Sequence, residues 1–363
     1  MESLAVLTKS WKEQNLILPI WMDGQHLKVV NQLKLPLQEE IIEVQSVGQL
    51  ADIIRTMTLR GSGAIGISGA YGILLAAYLS KGSKEAIREA GQLLKSTRPT
   101  AVNLMKTVDE LLAHAEKLPS NEVVAGMEEK VVEILIKQLD FEHALGAYGA
   151  ELIEDGDTIL THCHSGALAG SGYGGRALSV IRTAWEQGKK IHVFTSETRP
   201  YLQGARITAY ELQKFGIPHT LITDGMSGYL MELGQIQKVV VGSDRVAANG
   251  DLLNKVGTYM HALAANDNGI PFYTATSSHT VDFTLKEGMN IGVEYRDSEE
   301  VTHLNGQRIT LAETNAVYPS FDVTPNHLIN GIITEKGVIV PEYKKNLMTL
   351  NEYEAEETIT ERN

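Results

Sequence analysis

The chain has 363 residues, 43% of them hydrophobic and 21% charged, and a formal net charge of −13 at pH 7. That length fits one large or two ordinary domains, and the apolar content suffices for a sizeable core, which excludes a wholly disordered chain. The acidic balance excludes a nucleic-acid binder, which needs a basic face against phosphates, but a small anionic substrate can still be held by a few arginines and backbone N–H groups.

The N-terminal stretch MESLAVLTKSWKEQN lacks a basic segment followed by an apolar core, and no apolar run approaches the roughly 18 residues of a membrane span. A cytoplasmic protein with no membrane partner is expected. The runs LILPIW and HLKVVN around the turn MDGQ predict a small β-hairpin. From about 48 to 117 apolar residues recur at spacings of three and four, which predicts four helices, and a long helix follows over 121–154.

The period then switches. DTILTHC (157–163), KIHVFTSE (190–197), HTLITD (219–224), KVVVGSD (238–244) and PFYTAT (271–276) are short β-branched runs separated by helical stretches. This alternation predicts a parallel, doubly wound sheet, whose ligands bind at the carboxyl ends of the strands. Cys163, Glu197, Asp224 and Asp244 fall at those ends; His192 and His219 fall at the amino ends. The expected organisation is α/β: a mainly helical N-terminal domain with a hairpin (1–120), a connecting helix (121–154), a parallel-sheet domain (155–348) and a frayed acidic tail (349–363).

Cys163 is the only cysteine, so it makes no internal disulfide and no multi-cysteine zinc site; any role it has is that of a thiol. THCHSGALAGSGYGG reads as a strand entering a glycine-rich loop and then a helix, a context whose backbone N–H groups can face an oxyanion. The bland alternative is an inert core thiol. On an extended strand His162 and His164 both point away from Cys163, which suits packing histidines better than a catalytic dyad or a zinc site.

Three other segments stand out. RGSGAIG (60–66) matches G-x-G-x-x-G, yet helix-patterned sequence precedes it, so a dinucleotide site is not expected. Its glycine loop beside Arg60 suits either an anion or simple close packing of helices. SETRPYLQGAR (196–206) gathers Arg199, Gln203 and Arg206, groups that suit a sugar phosphate or a solvated helix start. VGSDRVAANGDLLNKVG (241–257) places Asp244 at a strand end, followed by a tight N-G-D turn, Asn254 and Lys255. In an apolar pocket Asp244 would serve as a general acid; otherwise it is a capping or loop carboxylate.

Taken in order, these segments resemble the methylthioribose-1-phosphate isomerase family. The likeness runs from QLKLP (32–36) through TLRGSGAIG, STRPTAVNL (96–104), THC, ETRPYLQGAR, VGSDRVAANGD and NKVGTY to FDVTP (321–325) and TEKGVI (334–339). The family's fold is similar to that of archaeal ribose-1,5-bisphosphate isomerases and of the regulatory subunits of the translation-initiation exchange factor. The resemblance implies a small N-terminal domain, a Rossmann-like C-terminal domain and a homodimer. It also implies that Cys163 and Asp244 are the catalytic pair, and that Arg60, Gly61, Ser62, Arg98, Gln203, Asn254 and Lys255 bind substrate and its phosphate.

The implied reaction converts an aldose 1-phosphate to a ketose 1-phosphate. A proton relay through an enediol-like intermediate and a hydride shift are the competing routes, and neither needs a metal or redox cofactor. Methylthioribose 1-phosphate and 5-deoxyribose 1-phosphate lead as substrates, ahead of ribose 1,5-bisphosphate; a non-catalytic regulatory subunit is the alternative. Family members usually read RGAPAIG, CNAG and DSMA where this chain has RGSGAIG, CHSG and DGMS. These departures set Gly63, His164 and Ser165 near the expected site and bear on which sugar is accepted.

Overall fold

The computed structural model describes residues 4–99, 101–290 and 292–350. The acidic tail expected after 349 therefore lies almost wholly outside the described residues. The chain forms two compact units: one runs up to His143 and takes in Ser165–Gly175, and the other comprises Ala144–His164 and the chain from Arg176 onward.

The first unit opens on α1 (Leu4–Glu13), a helix left unassigned from sequence. Its signal was the spacing of Leu4, Leu7 and Trp11, all buried on one face. The hairpin β1 (Ile20–Asp23) and β2 (His26–Val30) follows as expected, and an unforeseen third strand, β3 (Ile41–Val44), pairs with β2. Next come α2 (Val47–Arg55), α3 (Ser62–Leu79), α4 (Lys84–Thr97), α5 (Val102–Lys117) and α6 (Val123–Ala150), which begins in the first unit and ends in the second. Ser46 caps α2, its hydroxyl accepting from the Gln49 N–H at 3.2 Å.

Helix α3 corrects the expectation about apolar runs. It has 18 residues and is apolar enough to cross a membrane. Every residue from Gly63 to Ala77 is buried, so this apolarity serves the core. A Cβ at Gly69 would come within 2.8 Å of Leu104, which shows how closely α3 and α5 approach.

The second unit is built around one main sheet. In chain order its elements are β4 (Thr158–Thr161), α7 (Ala177–Glu186), β5 (His192–Ser196), α8 (Ala209–Phe215), β6 (His219–Ile222), α9 (Ser227–Glu232) and β7 (Lys238–Val241). Then come β8 (Arg245–Ala247), β9 (Leu252–Lys255), α10 (Thr258–Asp267), β10 (Phe272–Ala275) and β11 (Val281–Asp282). The two-residue pair β12 (His303–Leu304) and β13 (Gln307–Arg308), then β14 (Phe321–Thr324), β15 (Gly331–Thr334) and β16 (Gly337–Ile339), complete the strands.

The main sheet has the order β16-β15-β10-β7-β4-β5-β6, parallel except for β16. All five strands expected from sequence lie in it. From β4 the chain steps outward through β5 and β6, then returns to the other side of β4 and steps outward through β7, β10 and β15. This is the doubly wound Rossmann order, and its reversal point falls between β4 and β7. Leu160, Val239, Val241, Phe272 and Ile332 form its buried core. A second, four-stranded sheet of order β11-β8-β9-β14 was not foreseen.

Candidate functional site

In the second unit, Cys163 lies just beyond the carboxyl end of β4 and Asp244 just beyond that of β7. These strands are paired, Ile159 with Lys238 and Leu160 with Val239, and they flank the reversal point where ligands of such sheets bind.

Strand β4 stops at Thr161, and Cys163 adopts φ +68°, a left-handed conformation that costs a non-glycine residue roughly 1–2 kcal/mol. Hydroxyls offset this by taking both of its backbone groups. The Cys163 N–H donates to Thr198 Oγ at 2.9 Å, and Thr208 Oγ donates to the Cys163 carbonyl at 2.7 Å. The Gln203 amide points Nε2 at Sγ from 3.3 Å, while its buried Oε1 has no partner among the described residues. Gln203 was expected to meet substrate; the structure sets its nitrogen on the thiol and leaves its oxygen as an open acceptor. Arg199 and Arg206, read as phosphate candidates, direct guanidinium N–H groups to the carbonyls of Pro200, Val301 and Tyr201.

The break in β4 also corrects the picture of two histidines on one opposite face. His162 and His164 go to separate buried environments. The His162 Nε2–H donates to the Val256 carbonyl at 3.0 Å, leaving Nδ1 to accept from Ser196 Oγ at 2.6 Å and to face His261 Nε2 at 3.2 Å. His261 Nδ1 meets Ser227 Oγ at 2.8 Å. Burial pushes His162 down and His261 well down from the usual histidine value, so both rings are neutral at pH 7. With Asp224 these rings place ligand-type atoms within 4.8 Å of one another, yet every ring nitrogen already has a hydrogen-bond partner. Asp224 itself accepts from the Thr198 and Arg199 N–H groups at 2.8 and 2.7 Å, bracing the loop that holds Cys163. His164 Nε2 pairs with Glu211 at 2.8 Å, and its buried Nδ1 has no partner among the described residues.

Asp244 enters the β8–β9 hairpin, its N–H donating to the Leu253 carbonyl at 3.0 Å. Its side chain reaches solvent, but protein crowds it enough that desolvation raises its pKa above the ordinary carboxylate value. Glu294 adds to the rise; Arg245 and Lys255 oppose it. No hydrogen bond from the described residues reaches the Asp244 carboxylate. Asn254 donates to Thr258 Oγ at 3.0 Å, and the buried Lys255 ammonium donates to the Tyr318 hydroxyl, 4.6 Å from the centre of that ring. The structure thus brings Asp244, Asn254 and Lys255 onto one hairpin.

In the first unit, Arg60, Gly61 and Ser62 lead into α3, and Arg98 ends α4 just before α5. The first turns of α3 and α5 meet where the Asn103 amide donates to Ser62 Oγ at 2.8 Å. Two helix N-termini therefore lie side by side, each preceded by an arginine, an arrangement suited to an anion. A helix, not a strand, precedes RGSGAIG, as the rejection of a dinucleotide site required. Gly61 has φ +105°, and a Cβ there would sit 2.3 Å from Ala169 Cα, so the close-packing reading of this glycine also holds.

The glycine-rich loop after Cys163 differs from expectation. Its N–H groups do converge on an anion, but the anion is the protein's own buried Glu142. That carboxylate accepts from the N–H groups of Ser171, Tyr173, Gly174 and Gly175 at 2.5–3.1 Å and from Ser171 Oγ at 2.8 Å. Sequence reasoning missed Glu142, Thr198, Thr208 and Tyr318; only a charged residue in an apolar helix face, at Glu142, carried a signal.

The chain matches the Initiation factor 2 subunit family over residues 58–341. It is 47% identical over 335 residues to a methylthioribose-1-phosphate isomerase from Thermosipho africanus, which covers 91% of this chain and 96% of that relative. The crystal structure of 5-methylthioribose 1-phosphate isomerase from Pyrococcus horikoshii OT3 aligns with a TM-score of 0.89 at 36% identity, covering 94% of this chain and 98% of that one. That of translation initiation factor eIF-2B, subunit delta, from A. fulgidus aligns with 0.87 at 39%, covering 92% and 98%.

Proposed function

The chain belongs to the methylthioribose-1-phosphate isomerase family, within the broader initiation factor 2 subunit family, and we propose that it converts methylthioribose 1-phosphate to the corresponding ketose 1-phosphate. The observation that carries this is the placement of a thiol and a raised-pKa carboxylate beyond the two strands that flank the reversal point of the sheet.

An aldose 1-phosphate has its anomeric oxygen blocked, so its ring does not open as a free hemiacetal. Asp244, whose pKa desolvation raises above the ordinary carboxylate value, acts as the acid and donates a proton to the ring oxygen as the C1–O bond breaks. Cys163 as thiolate removes the proton from C2 to give an enediol-like intermediate and returns it at C1, while the C2 hydroxyl gives its proton back to the Asp244 carboxylate, which forms the ketone and restores the acid. The open Oε1 of Gln203 and the donors of Asn254 and Lys255 suit sugar hydroxyls and phosphate oxygens. Arg60, Gly61, Ser62 and Arg98 are proposed as phosphate-binding residues, supported by the paired helix N-termini. A homodimer and a cytoplasmic location are part of the proposal. The apolar Met226, Tyr229 and Leu233 around α9, and Tyr259, Met260 and Leu263 on α10, are open to solvent in the single chain and support self-association.

The test is turnover of the purified protein on methylthioribose 1-phosphate and 5-deoxyribose 1-phosphate side by side, with the ketose followed by NMR. Preference for the thioether is expected. Comparable rates on the deoxy sugar would replace it with a broader isomerase, and no product from either would shift the assignment to the bisphosphate or to a binding subunit. In D2O, solvent deuterium at C1 is expected; its absence would favour the hydride shift.

A further inference from the structure

We infer that Thr208, set in place by the π-helical turn Gly204–Thr208, is a positioning residue that fixes the Cys163 thiol for reaction. The inference rests on the reading of Cys163 as the reacting group. In a regular α-helix residues 203 and 208 would point about 140° apart. Here the Ala209 N–H donates to the Gly204 carbonyl five residues back, so the turn holds one extra residue. That extra residue brings both side chains round to one target: Gln203 reaches Cys163 Sγ and Thr208 reaches the Cys163 carbonyl. Three residues further on, Glu211 takes His164.

The turn is tightly seated. A Cβ at Gly204 would lie 1.8 Å from the Ser196 carbonyl oxygen and 2.8 Å from Thr198 Oγ, the atom that accepts the Cys163 N–H. With its N–H and carbonyl both pinned by threonine hydroxyls, Cys163 has little backbone freedom, and Gln203 selects the direction of its sulfur. Glycine would occupy this left-handed position without strain, whereas a strained residue with a thiol fits a place where the side chain is needed. Among the described residues the Thr208 hydroxyl donates to the Cys163 carbonyl, so it acts through that residue and not on substrate.

The experiment uses the full-length protein and compares wild type, Thr208→Val, Thr208→Ser and Cys163→Ser. It reads kcat, KM, melting temperature and the rate of iodoacetamide alkylation, which reports on one thiol because the chain has a single cysteine. Thr208→Val is expected to lower kcat roughly 30- to 100-fold, the scale of a misplaced reacting group, with KM within about threefold. Alkylation should slow at least about threefold as sulfur leaves its amide donor, and Thr208→Ser should recover most of both. A Thr208→Val enzyme with near-normal kcat and alkylation would overturn the inference, as would equal losses in the Val and Ser variants. If Thr208→Val does not fold, Thr198→Val carries the same comparison from the N–H side. Turnover retained in Cys163→Ser would defeat the catalytic reading of the thiol, while the alkylation rates would still decide whether Thr208 orients it.

Discussion

Two stretches of the chain use their polar groups in opposite ways. The glycine-rich loop Ser165–Gly175 spends its N–H groups on the buried Glu142 carboxylate, which five donors saturate. At the carboxyl edge of the sheet in the second unit, the Asp244 carboxylate has no hydrogen-bonded partner among the described residues and Gln203 holds a buried acceptor open. A carboxylate whose oxygens are already taken by donors serves structure; an open, partly desolvated one such as Asp244 keeps its proton to higher pH and remains available for chemistry. Sequence does not distinguish the two cases, since each is an acidic residue near glycines.

Breaking the open side should have the largest effect on activity. Asp244→Asn keeps the shape and removes the proton donor, so kcat should fall by about 10²- to 10⁴-fold. In the wild type, kcat/KM should decline as pH rises through the elevated Asp244 pKa, because the acid form does the work. A variant within threefold of wild type would remove Asp244 from the mechanism.

Breaking the saturated side should show in stability instead. Glu142→Gln replaces an oxygen ringed by N–H donors with another donor, and unpaired buried groups of this kind cost about 3 kcal/mol or more. Urea unfolding should show that loss. A change under about 0.5 kcal/mol would mean that the loop does not depend on its internal anion.

Smaller in effect is Arg98→Ala, which should raise KM about tenfold with kcat nearly unchanged, as for a group that binds phosphate equally in ground and transition states. An unchanged KM would take Arg98 out of the substrate site.

Much of the sheet was legible because β-branched runs and intervening helical periods are local signals. DTILTHC and KVVVGSD gave β4 and β7, and with them the positions of Cys163 and Asp244. What escaped depends on contacts far along the chain. No local pattern says that Thr198 and Thr208 will hold a left-handed Cys163, that Glu142 will fill the loop at 171–175, or that His162 will face His261. The strands β8, β9 and β14 escaped for another reason: RVA, LLNK and FDVT carry no β-branched run of the kind that marks β4 and β7, and only the N-G-D turn marked the hairpin.

Asp322 falls between the two extremes and refines the comparison. On β14 it accepts from the Gly257 N–H at 2.7 Å and the Tyr259 N–H at 3.2 Å, at the start of α10. Those donors and Lys255 favour its charge, yet burial outweighs them and pushes its pKa up to about 6. In the unfolded chain an aspartate titrates near 3.9, so the folded state binds the proton more tightly. The stability this supplies is fully present below about pH 4 and is lost as pH rises through 6. Asp322→Asn does not titrate. Between pH 4 and 7.5 the stability difference should therefore move in favour of the variant by about 1 kcal/mol or more. Parallel stability curves for the two proteins would show that the backbone donors satisfy this carboxylate as fully as they do Glu142, and that accepting N–H bonds, however few, is enough to turn a buried acid into a structural one.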